Sequence, residues 1–166
     1  IHKAMEQVED CFETVEAEFE TIFGRKYGTM EAIECDDAEI IMVVAGTAAS
    51  TCRHVIQELR KEGEKVGLLK FKMFRPFPTK QIRKILGETR KIAVVDRNFS
   101  FGLSGIFAHE IRAALCNHDK HPPVFGYVTG LGGRDVPPEI LKEIYERTKA
   151  TSFPKEESVW VGLNKN

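Results

Sequence analysis

The chain has 166 residues, of which 42% are hydrophobic and 30% charged, enough for one full core in an ordinary globular domain. Its 24 Lys and Arg stand against 25 Asp and Glu, a formal net charge of -1. That balance excludes a dedicated nucleic-acid partner, which would need surplus cations to displace phosphate counterions. No apolar run reaches the ~18 to 20 residues that span a bilayer, so no membrane partner is expected.

Residues 1–23 carry apolar side chains at Ile1, Met5, Val8, Phe12, Val15, Phe19 and Ile22. This alternation of four and three predicts one continuous helix with an apolar stripe, acidic elsewhere and stopped by Gly24. A non-Met start and this helix together read as a connector, residues 1–27, leading out of a longer chain. Residues 29–35 read as a short edge strand. Residues 39–45 (EIIMVVA) form a continuous apolar run, the pattern of a strand buried on both faces. Helices are expected over 47–62 (closed by Gly63), from Pro78 or Thr79 to Leu86, within 101–117, and from Pro137-Pro138 to near Lys149. Strands are expected over 66–74, 91–95 (KIAVV) and 124–129, and a last apolar stretch, 159–163, holds the only Trp, Trp160. Strands alternating with helices predict a three-layer α/β/α fold around a mostly parallel five-stranded sheet covered on both faces.

In such a sheet, ligands and partners meet the carboxyl ends of the strands. Four loops converge there: Gly46 to Ser50, Phe74 to Pro78, Asp96 to Gly102, and Gly130 to Asp135. The first lacks a GxxxxGK[ST] phosphate loop, and the last reads G-L-G-G-R-D rather than G-x-G-x-x-G. A tight turn that lets Asp135 cap the following helix is its simpler reading, and Asp96 with Arg97 reads equally well as an acid set beside a functional charge or as an internal ion pair. His109-Glu110 opens like a zinc-protease helix, but Ala113 stands where the second His is required. Cys116, His118 and His121 lie close in sequence without a fourth ligand. Cys11, Cys35, Cys52 and Cys116 contain no CxxC pair, so neither a zinc knuckle nor an iron–sulfur site is spelled out. The residues alone define a cytosolic α/β domain without a catalytic set.

The segments EIIMVVAGTAAST, GEKVGLLKFKMFRPFP, KIAVVDRNFSFGLSG and FGYVTGLGGRD, with the closing VWVGL, carry a resemblance. Spread over residues 27–163, they resemble the C-terminal domain of the α chain of 2-oxoacid:ferredoxin oxidoreductases, the pyruvate synthase type in particular. KVGLLKFKMFRPFP and DRNFSFG are the most specific pieces. The resemblance implies a transketolase C-terminal-like domain over residues 28–166, whose sheet has one antiparallel edge strand that residues 29–35 fit. It also implies a cytoplasmic parent enzyme of anaerobic metabolism that oxidatively decarboxylates a 2-oxoacid, with CoA as acyl acceptor and ferredoxin as electron acceptor. Thiamine pyrophosphate and iron–sulfur clusters would belong to the parent complex, with no cofactor in this chain. Implied partners are an upstream pyrimidine-binding domain of the same α chain, the other subunits, and ferredoxin through the complex. Two alternatives stay open: another thiamine-dependent parent (a transketolase, or a 2-oxoacid dehydrogenase β chain) and a free-standing anion- or nucleotide-binding module. No catalytic residue is expected here. Arg75, Asp96, Arg97, Phe101, Arg134 and Asp135 are expected to form a surface that docks the rest of the enzyme.

Overall fold

The β-branched and aliphatic run IIMVVA becomes β2 (Ile40–Ala45), buried at every position but its last. The computed structural model describes residues 1–163; residues 164–166 of the expected domain lie outside the described residues. Beside β2 lie β3 (Val66–Phe71) and β4 (Lys91–Asp96), both parallel to it. Then β5 (Val124–Val128) pairs parallel with β4. Strand β1 (Met30–Ile33) runs antiparallel along β3, with Met30 opposite Phe71, as the edge-strand reading expects.

Helices α3 (Ala48–Lys61) and α6 (Pro138–Ala150) cover one face of the sheet, where Cys52, Val55, Ile56, Leu141, Ile144 and Tyr145 meet Met42, Val44 and Leu68. Helices α4 (Thr79–Leu86) and α5 (Ile106–Leu115) cover the other, packing Ile82, Leu86 and Ile111 on Ile41, Val43 and Val94. Because both faces are covered, the central strands read as continuous apolar runs rather than alternating ones.

The sheet has six strands rather than five, in the order β1-β3-β2-β4-β5-β6. The extra strand, β6 (Val159–Trp160), has two residues and pairs parallel with Tyr127 and Val128. So short an element has no periodicity, and only its sheet partner defines it. Strand β3 stops at Phe71, three residues earlier than expected. The N–H groups of Lys72 and Met73 both donate to the Thr29 carbonyl (3.1 and 2.9 Å), which turns the chain out of the ladder.

The continuous N-terminal helix is also corrected. It is broken at Gln7 into α1 (His2–Glu6) and α2 (Val8–Phe23), with Gln7 donating its N–H to the Ala4 carbonyl. Gly24 does stop α2, in the left-handed conformation (φ 64°) that Gly adopts without a Cβ penalty. Neither helix buries a residue; Met5, Val8, Phe12 and Phe19 are half-covered, while Val15 and Ile22 face water. No helix among the described residues is long and apolar enough to cross a membrane.

One carboxylate ties α2 to the rest. Glu16 accepts the N–H groups of Gly28 and Tyr27, and its side chain is only 9% exposed. The Gly28 donor first, then Tyr27, Lys26 and Lys72, hold its carboxyl below the usual glutamate range. A carboxyl lowered in the folded state contributes stability that is complete above its unfolded pKa of about 4.3 and is lost as pH falls through the lowered value. Glu16→Gln should therefore increase amide exchange of Tyr27 and Gly28 at neutral pH. The difference from wild type should close once pH falls below the lowered folded-state value of Glu16, where both chains carry an uncharged group. A difference independent of pH would remove the carboxylate from the tether.

Candidate functional site

The strand order reverses between β2 and β4, so the crevice between their carboxyl ends is the topological switch point of the sheet. Arg97, the first residue after β4, lies across it. Its Nη1 donates to Thr47 Oγ1 (3.2 Å), and its Nη2 reaches the carbonyls of Gly130 (3.5 Å) and Arg134 (3.4 Å). One exposed guanidinium thus clasps the loops that follow β2 and β5 to the end of β4. Thr47, Thr51, Asp135, Val136 and Pro137 line a cleft of about 360 Å³ beside it.

Asp96 behaves differently from the expectation. It is fully buried, it makes no ion pair with Arg97, and it is not part of any surface. Its Oδ1 accepts the Phe107 N–H (2.9 Å) and the Asn98 side-chain amide (3.1 Å), and its Oδ2 accepts the Ala108 N–H (3.0 Å). Asn98 Oδ1 takes the Ile106 N–H at 2.9 Å. The end of β4 therefore supplies both caps for the orphan donors of α5, with the negative charge at the positive end of the helix. Burial pushes the Asp96 carboxyl above its ordinary value, against the pull of the Phe107, Ala108 and Asn98 donors and of the more distant Arg112. Gly105 completes the fit, because a Cβ there would stand 2.2 Å from Asp96 Oδ2.

The other expected docking residues do reach the edge. Phe101 is 96% exposed at the tip of the β4–α5 loop. Arg75 lies 4.1 Å over the Phe74 ring and pairs with Glu110. Phe74 itself sits in an aromatic cluster with Phe77 and Phe107. Arg134 and Asp135 are exposed beyond the turn Leu131–Gly133. Asp135 does not cap α6, whose N-cap position is Pro137 and has no side-chain cap. The arginines thus spread along the edge, paired with neither Asp96 nor Asp135. Residue order did not single out Asn98, Phe99, Leu103 or Trp160. The available signal was F-S-F-G-L, aromatic and aliphatic side chains around a turn glycine where a buried loop would be polar or short.

Burial raises the Cys35 thiol to about 11 and the Cys52 thiol to about 12, which withdraws their thiolates near neutral pH. Among the described residues no three His, Cys, Asp or Glu side chains come close enough to hold a metal ion. The α5 N-terminus, a natural anion position, is filled by Asp96 and Asn98. These residues do not fit an iron–sulfur cluster or a diphosphate at α5. What the edge offers is rigid, exposed arginine and aromatic side chains.

The fold is a three-layer α/β/α domain whose carboxyl edge presents exposed arginine and aromatic side chains. Its fold matches a split-gene transketolase (TM-score 0.56, 10% identity, 75% of this chain and 43% of that one). It also matches the 2-oxoglutarate:ferredoxin oxidoreductase of Magnetococcus marinus (TM-score 0.57, 24% identity, 79% of this chain and 21% of that one). The chain belongs to the family of pyruvate:ferredoxin oxidoreductase core domain II, whose family model matches residues 38–141. Pyruvate synthase subunit PorA of Methanothermobacter thermautotrophicus is 42% identical over 98% of this chain. The chain spans about two fifths (41%) of that relative's length.

Replacing Asp96 by Ala would leave two N–H groups of α5 and the Asn98 amide without their acceptor. Asp96→Ala should lower stability by about 2–3 kcal/mol, the scale of a lost cap plus buried unsatisfied donors. Arg97→Ala, which removes only long bonds from an exposed group, should cost under about 1 kcal/mol. Urea unfolding midpoints of the two variants check this ranking, and the reverse order would refute the assignment of Asp96 as the structural residue.

Proposed function

We propose that this chain is a non-catalytic assembly domain of the α subunit of a 2-oxoacid:ferredoxin oxidoreductase acting on pyruvate. The observation that carries this reading is the family match over residues 38–141, joined to the 42% identity with a pyruvate synthase subunit. The same match weighs against a transketolase or 2-oxoacid dehydrogenase parent. In the whole enzyme the 2-oxoacid loses CO2, its acyl group passes to CoA, and the electron pair released goes to ferredoxin. When bound, thiamine pyrophosphate supplies the carbanion chemistry and iron–sulfur clusters carry the electrons. Both are assigned to other parts of the complex, in a cytoplasmic enzyme.

In this reading, residues 1–27 connect the α/β body to an upstream pyrimidine-binding domain. The carboxyl edge faces the rest of the enzyme through Arg75, Arg97, Phe101, Arg134 and Asp135. Arginine and aromatic side chains on restrained loops suit an interface, because little freedom is lost when they are buried. Asp96 acts behind this surface by fixing the loop that carries Arg97 and Phe101.

Two measurements test the proposal. Pure 166-residue chain mixed with pyruvate, CoA, thiamine pyrophosphate and a viologen dye should show no reduction, whereas the complete enzyme should reduce the dye. Reduction by the chain alone would overturn the non-catalytic role. In the complete enzyme, Arg97→Ala with Arg134→Ala should weaken subunit assembly while the melting of the domain stays nearly unchanged. A large melting loss with intact assembly would make these arginines structural instead.

A further inference from the structure

Four large side chains that the core does not use lie on the β4–α5 loop, at the start of α5 and on β6. Phe101 is 96% exposed, Leu103 51%, Trp160 41% and Ile106 36%. Phe99 links the two aromatics, with its ring 6.2 Å from that of Phe101 and 4.8 Å from that of Trp160. The ridge joins the β4–α5 loop to β6 and contains no charged side chain.

The loop is built to hold this shape. Ser100 donates its N–H to the Ser104 carbonyl (2.9 Å), and Leu103 donates to the Ser100 carbonyl (3.0 Å). Gly102 adopts φ 78°, the left-handed value that the third position of a type II turn requires, which leaves Phe101 at the tip. Behind the turn, Ser104 is buried, and Gly105 donates its N–H to Ser158 Oγ (3.2 Å). A turn fixed at both ends that shows a Phe almost wholly to solvent has no role in the packing of this domain. Contiguous exposed apolar side chains mark a surface that something covers.

We infer that the ridge of Phe99, Phe101, Leu103, Ile106 and Trp160 is the permanent apolar anchor that docks this domain onto the remainder of its own polypeptide. The inference rests on the proposed function, since it takes the chain as one domain of a longer subunit. Three observations select this occupant. In the pyruvate synthase relative, the matching region is 41% of the chain, so a larger body of the same polypeptide accompanies it. An uncharged aromatic ridge suits a contact that never opens, whereas reversible contacts are more polar. The adjoining sheet edge is the two-residue β6, too short a template for strand pairing with a second copy. Arg97 and Arg134 then form the polar rim, and the apolar centre supplies most of the holding energy.

The experiment uses the full-length subunit in its native complex. Phe101→Ser combined with Leu103→Ser should make limited proteolysis cut this domain from the rest at least about tenfold faster than in wild type, as an interface that opens exposes its linker. Phe153→Ser, 70% exposed on the loop after α6 and away from the ridge, should leave the cutting rate unchanged. The released domain should melt at the wild-type temperature, because neither substituted side chain packs in its core. Unchanged cutting of the double variant would overturn the inference. So would a drop in oligomer mass without faster cutting, which would make a second copy the occupant. A wild-type complex that fails to reduce a dye with pyruvate and CoA would defeat the proposed function alone, since the proteolysis reads contact and not turnover.

Discussion

The carboxyl edge depends on one buried carboxylate. Asp96 ends β4, the strand next to the switch point, and holds the first turn of α5 through the N–H groups of Phe107 and Ala108. That contact fixes where α5 starts, and so fixes both ends of the loop between them. Arg97 and Phe101 lie on this loop, one aimed across the switch point and the other outward. Gly105 lets the backbone come this close, since any side chain there would collide with the carboxylate. The helix dipole and the donors favour the charged form, while burial opposes it, and burial leads.

The same contact separates this domain from the ligand-binding members of open α/β architecture. In those folds a helix N-terminus at the carboxyl edge receives a phosphate from outside. Here a side chain of the protein already occupies the corresponding position at α5. The acidic residue at the end of β4 is therefore internal scaffolding, and the free groups of the edge are arginines and aromatics. A surface of that composition recognises protein more readily than it performs chemistry.

Much of the fold was legible because each central strand is buried on both faces. Runs such as IIMVVA and KIAVV have no other soluble explanation once helices with capping glycines separate them. The edge strand was readable from its position before the acidic Asp36-Asp37 break, but its antiparallel direction came only from the family resemblance. The sixth strand was not, because two residues carry no period. The break at Gln7 also escaped, since the apolar spacing runs through it without a change. At the edge, Arg75, Arg97, Phe101, Arg134 and Asp135 were placed at the strand ends where topology puts them. Asp96 was misassigned because a strand-terminal Asp beside an Arg looks like a pair in sequence, whereas α5, ten residues on, offers two backbone donors in the fold. The pairing of Phe99 with Trp160 joins positions 61 residues apart, a contact that only the sheet brings about.

The proposed assembly role requires the carboxyl edge to be buried against the rest of the enzyme. Hydroxyl-radical footprinting of the assembled complex tests it directly, because exposed phenylalanines report their own solvent access. In the isolated fold Phe101 is more exposed than Phe153, 96% against 70%. In the complex, Phe101 should be labelled less than Phe153, with Trp160 protected alongside it. Labelling of Phe101 above Phe153, in the order of their exposures in this domain alone, would contradict the claim.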